Sequence, residues 1–153
     1  MPLKIWESSL KVTLLDSLQK RVRFLEAVAD ALHLNGVVCL HGRAEECGRD
    51  KRLRQRFDVA VSRAVARLAV LAEYCLPFVR PGGYFVALKG AKYREELEAA
   101  APALSVLGGK LERVKTVVLP QLEETRALLY IRKVKDTPAA YPRKAGMPEK
   151  KPL

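Results

Sequence analysis

A carboxylate at Asp16 closes the short apolar run from Lys11 to Ser17, KVTLLDS, immediately before a strongly periodic stretch. At the carboxyl end of a strand in an open α/β sheet, an acid faces the crevice where ligands bind and commonly accepts hydrogen bonds from ribose hydroxyls. Asp16 is therefore a candidate nucleoside-binding residue, with Ser17 beside it. Asp and Ser are also favoured helix caps, and this segment alone leaves both roles open. Other reactive side chains are few. Cys39, Cys47 and Cys75 form an odd set without C-x-x-C spacing, which argues against a disulfide framework or a zinc knuckle and suits a reducing compartment. Cys39, His41 and Cys47 could be drawn as a partial metal site, but Cys39 and His41 share one face of an expected strand and a fourth ligand is missing. Core packing explains the cysteines better, and no metal is expected.

The elements that must position Asp16 alternate clearly. Val12–Asp16 reads as a strand. Leu18, Val22, Leu25, Val28 or Ala29, and Leu32 then recur at three- and four-residue steps, the mark of a helix burying one stripe, with an end expected near Asn35-Gly36. Val37–Leu40 is a second β-rich run, and a short helix is expected within the polar segment Arg43–Arg56. Phe57–Ser62 reads as a third strand, and Leu68, Leu71, Ala72, Cys75 and Leu76 carry helical spacing up to Pro77. Pro81-Gly82-Gly83 predicts a turn into a fourth strand, Tyr84–Leu88. A helix from Tyr93 to about Leu107 should bend or break at Pro102, and Gly108-Gly109 should end it. Leu111–Leu119 and Leu128–Val134 make the last strands, joined by a polar connection, Pro120–Thr125, that permits an antiparallel pair. From Asp136 onward, Pro138, Pro142, Pro148 and Pro152 argue against regular structure. The first four strands are nearly continuous apolar runs separated by helices, the pattern of a parallel sheet covered on both faces.

A chain of 153 residues with 49% hydrophobic content is long enough for one good core. Twenty-eight Lys and Arg against seventeen Asp and Glu leave a formal charge of +11, which favours a polyanionic partner, nucleic acid first. The excess gathers in two places: five of the eight residues from Arg49 to Arg56 are basic, and seven basic residues between Arg132 and Lys151 face only Asp136 and Glu149. No apolar run approaches a membrane span and no leader pattern opens the chain, so a soluble, unprocessed, cytoplasmic protein without a membrane partner is expected.

Five segments occur in fixed order over nearly the whole chain: LLDSLQKRVRFL (Leu14–Leu25), GRAEE (Gly42–Glu46), FDVAVSRAVARL (Phe57–Leu68), FVALKG (Phe85–Gly90) and YPRKAGMPEKKP (Tyr141–Pro152). Together they closely resemble the small-subunit ribosomal RNA guanine-N7 methyltransferase G family, also called glucose-inhibited division protein B. That resemblance implies a class I S-adenosylmethionine-dependent methyltransferase fold, a Rossmann-like three-layer sandwich whose mostly parallel sheet has an antiparallel carboxyl-terminal edge. It implies S-adenosylmethionine as cofactor and, as substrate, a guanosine in the 530 loop of 16S rRNA, either free or within the small ribosomal subunit. Asp16 and Ser17 would hold the ribose hydroxyls, and Ala44 and Glu45 match the family's adenine-side contacts. A backbone N–H can donate to a ring nitrogen, and a carboxylate can accept from the exocyclic amine. Arg63 falls at the family's cofactor-site arginine. Lys89 on the same rim, Arg126, Arg143 and Lys144 are candidate RNA contacts. N7 of guanine carries an in-plane lone pair and no proton, so its attack on a sulfonium methyl needs no general base. Neither His33 nor His41 is required as one, and no catalytic residue is assigned.

The family pattern also has a helical segment, a first central strand and a glycine-rich loop ahead of a stretch that resembles Met1–Ile5. Gly36 is the first glycine in this chain. The expectation is therefore the carboxyl-terminal two-thirds of such an enzyme: a partial methyltransferase domain over 1–135 with its first strand missing, then a basic proline-rich tail over 136–153. Methyl transfer would be impaired, and a sheet with a gap at its centre would be prone to dimerise or rearrange. Two other functions compete. A noncatalytic RNA-binding module would use the two basic clusters for phosphate contacts. A Rossmann-type dehydrogenase also ends its second strand in an acid, but the terminal strand pair and the lack of a substrate domain count against it.

Overall fold

The computed structural model describes residues 1–63, 66–118 and 125–153. Along the chain run α1 (Pro2–Trp6), β1 (Val12–Asp16), α2 (Gln19–Ala31), β2 (Val37–His41), α3 (Ala44–Cys47), β3 (Phe57–Arg63), α4 (Leu68–Cys75) and β4 (Val79–Lys89). They are followed by α5 (Tyr93–Ala99), α6 (Ala101–Leu107), β5 (Gly109–Val118), β6 (Thr125–Lys133) and α7 (Met147–Lys150). The expected connection Pro120–Thr125 lies outside the described residues except for Thr125, which opens β6. Chain contacts divide the molecule into two compact units, Met1–Ala44 and Glu45–Leu153.

The first unit is a strand–helix–strand crossover. β1 and β2 pair in parallel from Val12 opposite Val37 to Asp16 opposite His41, so both strands end on the same rim. The helix α2 between them buries Val22 and Ala29 from the expected stripe, whereas Leu18 and Leu32 at its two ends are each 51% exposed. It stops earlier than Asn35-Gly36. His33 takes a left-handed conformation (φ +49°), and the amides of His33 and Leu34 donate back to the carbonyls of Asp30 and Ala29. This is the double hydrogen bond of a helix C-terminus, with histidine in the place glycine usually holds. His33 therefore lies just past the helix rather than within it. Lys4 of α1 is buried, and its ammonium donates to the carbonyls of Ser8 and Leu10.

The second unit holds a four-stranded mixed sheet in the order β3-β4-β6-β5, with β3 parallel to β4 and the other pairs antiparallel. The antiparallel edge is as expected, while the strands divide into two hydrogen-bonded sheets, of two and four strands. Alternation along β4 and β6 buries Phe85, Ala87, Ala127, Leu129 and Ile131 on one face, where Leu68, Leu71, Leu76, Leu104 and Leu107 of the α4–α6 region complete the core. The apolar run of β3 predicts cover on both faces. Within this unit Val59 and Val61 are each 49% exposed, because the core helices pack on the opposite side.

Pro81-Gly82-Gly83 is not a turn between elements but an irregularity inside β4. The pairing steps from Phe57–Val79 to Val59–Tyr84, so the extra residues bulge out. A Cβ on Gly83 would lie 2.4 Å from the Asp58 carbonyl oxygen, which explains why only glycine fits that close approach. Pro102 breaks its helix as expected, and α6 begins beside it with the proline in the first turn, where its missing N–H is harmless. Gly108 then ends α6 in the left-handed region at φ +83°.

The final segment also departs from expectation. Four prolines argue against regular structure, yet Met147–Lys150 makes one helical turn with Pro148 in its opening residues, and Thr137 and Pro148 are buried. Polar contacts hold the segment down. Arg54 donates to the carbonyls of Thr137 (2.7 Å), Tyr141 (2.8 Å) and Pro138 (3.2 Å), and Arg49 donates to that of Ala140 (3.0 Å).

Candidate functional site

Asp16 is the last residue of β1, and both of its carboxylate oxygens have local partners. Oδ1 accepts from the Leu18 amide at 2.8 Å, just ahead of α2, and Oδ2 lies 3.5 Å from the guanidinium of exposed Arg21. The Oδ1 bond is an Asx turn ahead of the helix rather than a cap, because the N-cap position of α2 falls at Leu18, where no side-chain cap bond is made. It is compatible with a ligand role, because an ionised carboxylate offers about four acceptor positions and two protein donors leave room for others. Beside it, His41 donates from Nε2 to the Ser17 carbonyl at 3.1 Å, and the Gly42 amide donates to that of Asp16. The rim of the first unit is thereby stitched across its two strands. Ala44, half-buried, opens α3.

In the second unit, Glu45 is not the solvated acid that its place in a charged loop suggests. It is 5% exposed, and Oε1 accepts from the Gly146 amide at 2.9 Å, a residue 101 positions further along the chain. Arg63 ends β3, exposed, with no hydrogen bond or ion pair among the described residues. An always-charged fork of donors with no side-chain partner among the described residues suits it to an anionic ligand group.

The four RNA-contact candidates fall into two kinds. Lys89, the last residue of β4, is 8% exposed; its ammonium pairs with Glu96 at 2.6 Å and donates to the Ala66 carbonyl at 2.6 Å. Glu96 in turn accepts from the Leu68 amide at the start of α4, so Lys89 ties β4, α4 and α5 together. Arg143 is similarly engaged. Its guanidinium forms a two-pronged ion pair with Glu73 (2.6 Å at the closest), and its backbone amide donates to the same carboxylate at 2.7 Å. That carboxylate holds the Arg143 proton more tightly than usual. Arg126, near the start of β6, and Lys144, just after Arg143, are exposed.

Several residues that matter here escape sequence reading. Glu73 is 1% exposed on α4, an acid inside the apolar run LAVLAEYC, and that placement was the available signal of a buried partner. Tyr74 next to it donates to Glu149 at 3.3 Å; burial and the neighbouring carboxylates Glu45, Glu149 and Glu73 push its pKa up. Gly146 carried no signal beyond being a glycine. Among the described residues no group of three or more His, Cys, Asp or Glu is placed to hold a metal ion, and no helix is long and apolar enough to cross a membrane.

Comparison with known proteins extends this geometry. The family model described as rRNA small subunit methyltransferase G matches residues 1–126. Over all 153 residues the chain is 52% identical to the ribosomal RNA small subunit methyltransferase G of Alkaliphilus metalliredigens and 54% identical to that of Exiguobacterium sibiricum. It spans 64% of the length of each. Among solved structures, a 16S rRNA (adenine(1408)-N(1))-methyltransferase from Catenulisporales acidiphilia is similar with a TM-score of 0.68 at 16% identity, covering 88% of this chain and 78% of that one. TYW2 of M. jannaschii in complex with AdoMet is similar with a TM-score of 0.65 at 15% identity, covering 87% of this chain and 63% of that one. At such identities the likeness shows the fold, that of the class I S-adenosylmethionine-dependent methyltransferases.

Proposed function

The chain belongs to the rRNA small subunit methyltransferase G family, and from that membership we propose that it serves transfer of a methyl group from S-adenosylmethionine to N7 of a guanosine in the 530 loop of 16S rRNA. On this reading 1–135 is a partial methyltransferase domain and 136–153 its basic extension. The observation that carries the reading is positional: Asp16, Arg63 and Lys89 each occupy the last residue of a parallel strand within their own unit. That end of the strands is where this class of sheet receives its ligands.

Taken one by one within their own units, the residues offer chemistry suited to parts of an adenosyl ligand. Asp16 retains acceptor positions for a ribose diol, with Ser17 beside it, and the backbone of Ala44 with the carboxylate of Glu45 offers the donor and acceptor that an adenine edge needs. Arg63 would orient a carboxylate or phosphate. When bound, S-adenosylmethionine supplies an electrophilic sulfonium methyl. The chain's part is positioning and exclusion of water, since guanine N7 has no proton to remove. For RNA, exposed Lys144 suits a phosphate contact and exposed Arg126 is a further candidate, while Lys89 and Arg143 already meet Glu96 and Glu73.

The test is methyl transfer from labelled donor to 16S rRNA lacking this modification, offered naked and within the small subunit. N7-methylguanosine should form in the 530 loop, at the reduced rate expected of a partial methyltransferase domain. Asp16→Ala and Arg63→Ala should each lower the rate about tenfold or more while RNA binding persists, as expected on losing a charged positioning contact. Undiminished transfer would remove those residues from the site. RNA binding without any transfer would favour a noncatalytic RNA-binding module instead.

A further inference from the structure

Glu45 combines two properties that a purely structural acid has no need to combine. Its Oε1 is tied to the Gly146 amide, while Oε2 makes no hydrogen bond among the described residues. Among the described residues no unpartnered side-chain oxygen of a non-exposed residue is fully sealed, so Oε2 keeps some contact with solvent although Glu45 as a whole is 5% exposed. A carboxylate held by one oxygen and open at the other is a directed acceptor for an N–H group.

What holds Oε1 is itself built. Gly146 sits at φ +79°, a conformation that turns its amide toward Glu45 and that side-chain-bearing residues rarely adopt. Three residues earlier, Arg143 is clamped on buried Glu73 by its guanidinium and by its backbone amide. On the other side, Glu149 accepts from Tyr74, the residue next to Glu73. The loop carrying Gly146 is therefore fixed at both ends to one turn of α4.

We infer that the segment around Arg143–Glu149 is a clasp that positions Glu45: Arg143, acting through Glu73, holds the Gly146 amide on Oε1 so that Oε2 is presented to the exocyclic amine of an adenine ligand. This rests on the reading of Glu45 as an adenine contact and adds the element that aims it. Arg143 is then a positioning residue rather than an RNA contact.

The experiment titrates the 153-residue chain with adenosine and with inosine, following amide resonances including that of Gly146. Inosine replaces the exocyclic amine with an oxo group, so it withdraws the donor and brings an oxygen toward Oε2. Wild type should prefer adenosine by roughly tenfold or more, the scale of one hydrogen bond to a charged acceptor. Glu45→Gln should abolish that preference. Arg143→Ala should reduce it toward unity with inosine affinity unchanged, and Arg143→Lys, which keeps the charge but loses the fork, should reduce it in part and serves if the alanine variant does not fold. Folded Arg143 variants that keep the wild-type preference overturn the clasp and leave Glu45 as a contact. Variants that weaken both nucleosides alike also overturn it, since that marks a merely structural role. A wild-type chain that binds neither nucleoside, or both alike, overturns the reading of Glu45 and the clasp with it.

Discussion

Lys133 ends β6 with no solvent exposure, in phase with Ala127, Leu129 and Ile131, and its ammonium must find partners there or be neutralised. It donates to the carbonyls of Leu76 (2.7 Å) and Leu107 (3.2 Å) and to the Thr137 hydroxyl. Those carbonyls close α4 and α6, where helix dipoles favour a cation. Burial, helped by nearby Arg54, pulls the Lys133 pKa down from 10.5 to about 7. The sign of the linkage follows: between about 7 and 10.5 the unfolded chain keeps a proton that the native chain releases, so this residue's contribution to stability rises with pH. Urea unfolding of wild type and Lys133→Met should show a stability difference that shifts in favour of wild type from pH 7 to pH 9, with a slope approaching about 1.4 kcal/mol per pH unit. A difference that stays flat would mean that native Lys133 keeps an ordinary lysine pKa. Glu73 and Glu45 are likewise buried charged residues that need partners. Each is a charged residue in a place where packing alone would choose an apolar one, and each has a partner far along the chain.

At the scale of elements, two glycines separate backbone conformation from space. Gly108 after α6 and Gly146 before α7 have nearly the same φ, +83° and +79°. A Cβ on Gly108 would lie 2.2 Å from the Lys135 carbonyl oxygen, whereas one on Gly146 would meet nothing within 4 Å. Gly146→Ala should therefore lose only the left-handed preference, about 1 kcal/mol. Gly108→Ala should lose that and displace the start of the segment after β6, roughly 2–4 kcal/mol in all. Thermal unfolding of the two variants checks the order, and equal losses would show that the Gly108 neighbourhood yields freely. The same scale shows where local reading succeeded and failed. Pro102 broke its helix and the Asp16 strand ended where its apolar run did, because both are decided by a few neighbouring residues. Pro81-Gly82-Gly83 reads as a boundary because a bulge and a turn share the same composition, and only pairing with β3 distinguishes them.

For the whole molecule, the formal charge of +11 predicts affinity for RNA that falls steeply with salt. The charges are not equivalent. Arg54 and Arg143 are bound to carbonyls and to Glu73, and Arg52 is paired with Asp50, so they add little to a free cationic surface. Lys144→Ala should lower the slope of log affinity against log salt by roughly 0.7–0.9, the share of one phosphate contact. Arg54→Ala should leave the slope unchanged and instead lower the melting temperature, because the guanidinium joins the Thr137, Pro138 and Tyr141 carbonyls of the segment after β6 to the Gly48 carbonyl ahead of β3. Filter binding across a salt series, with melting curves for both variants, separates the two roles. An altered slope for Arg54→Ala would place it on the RNA surface.

The amino-acid sequence by itself determined the alternation of strands and helices, the antiparallel closing pair, the strand-end acid at Asp16 and the family, because these depend on local periodicity and on ordered motifs that a linear reading contains. Only the tertiary structure decided what the charged residues do. Glu45 turned out to be buried against Gly146, Arg143 locked on Glu73, and Lys89 paired with Glu96, while Arg63 stayed without a partner among the described residues. Charge is written in the sequence, but its neutralisation depends on contacts between elements, for Glu45 and Arg143 across 101 and 70 residues. Desolvation makes those contacts obligatory once the chain has folded.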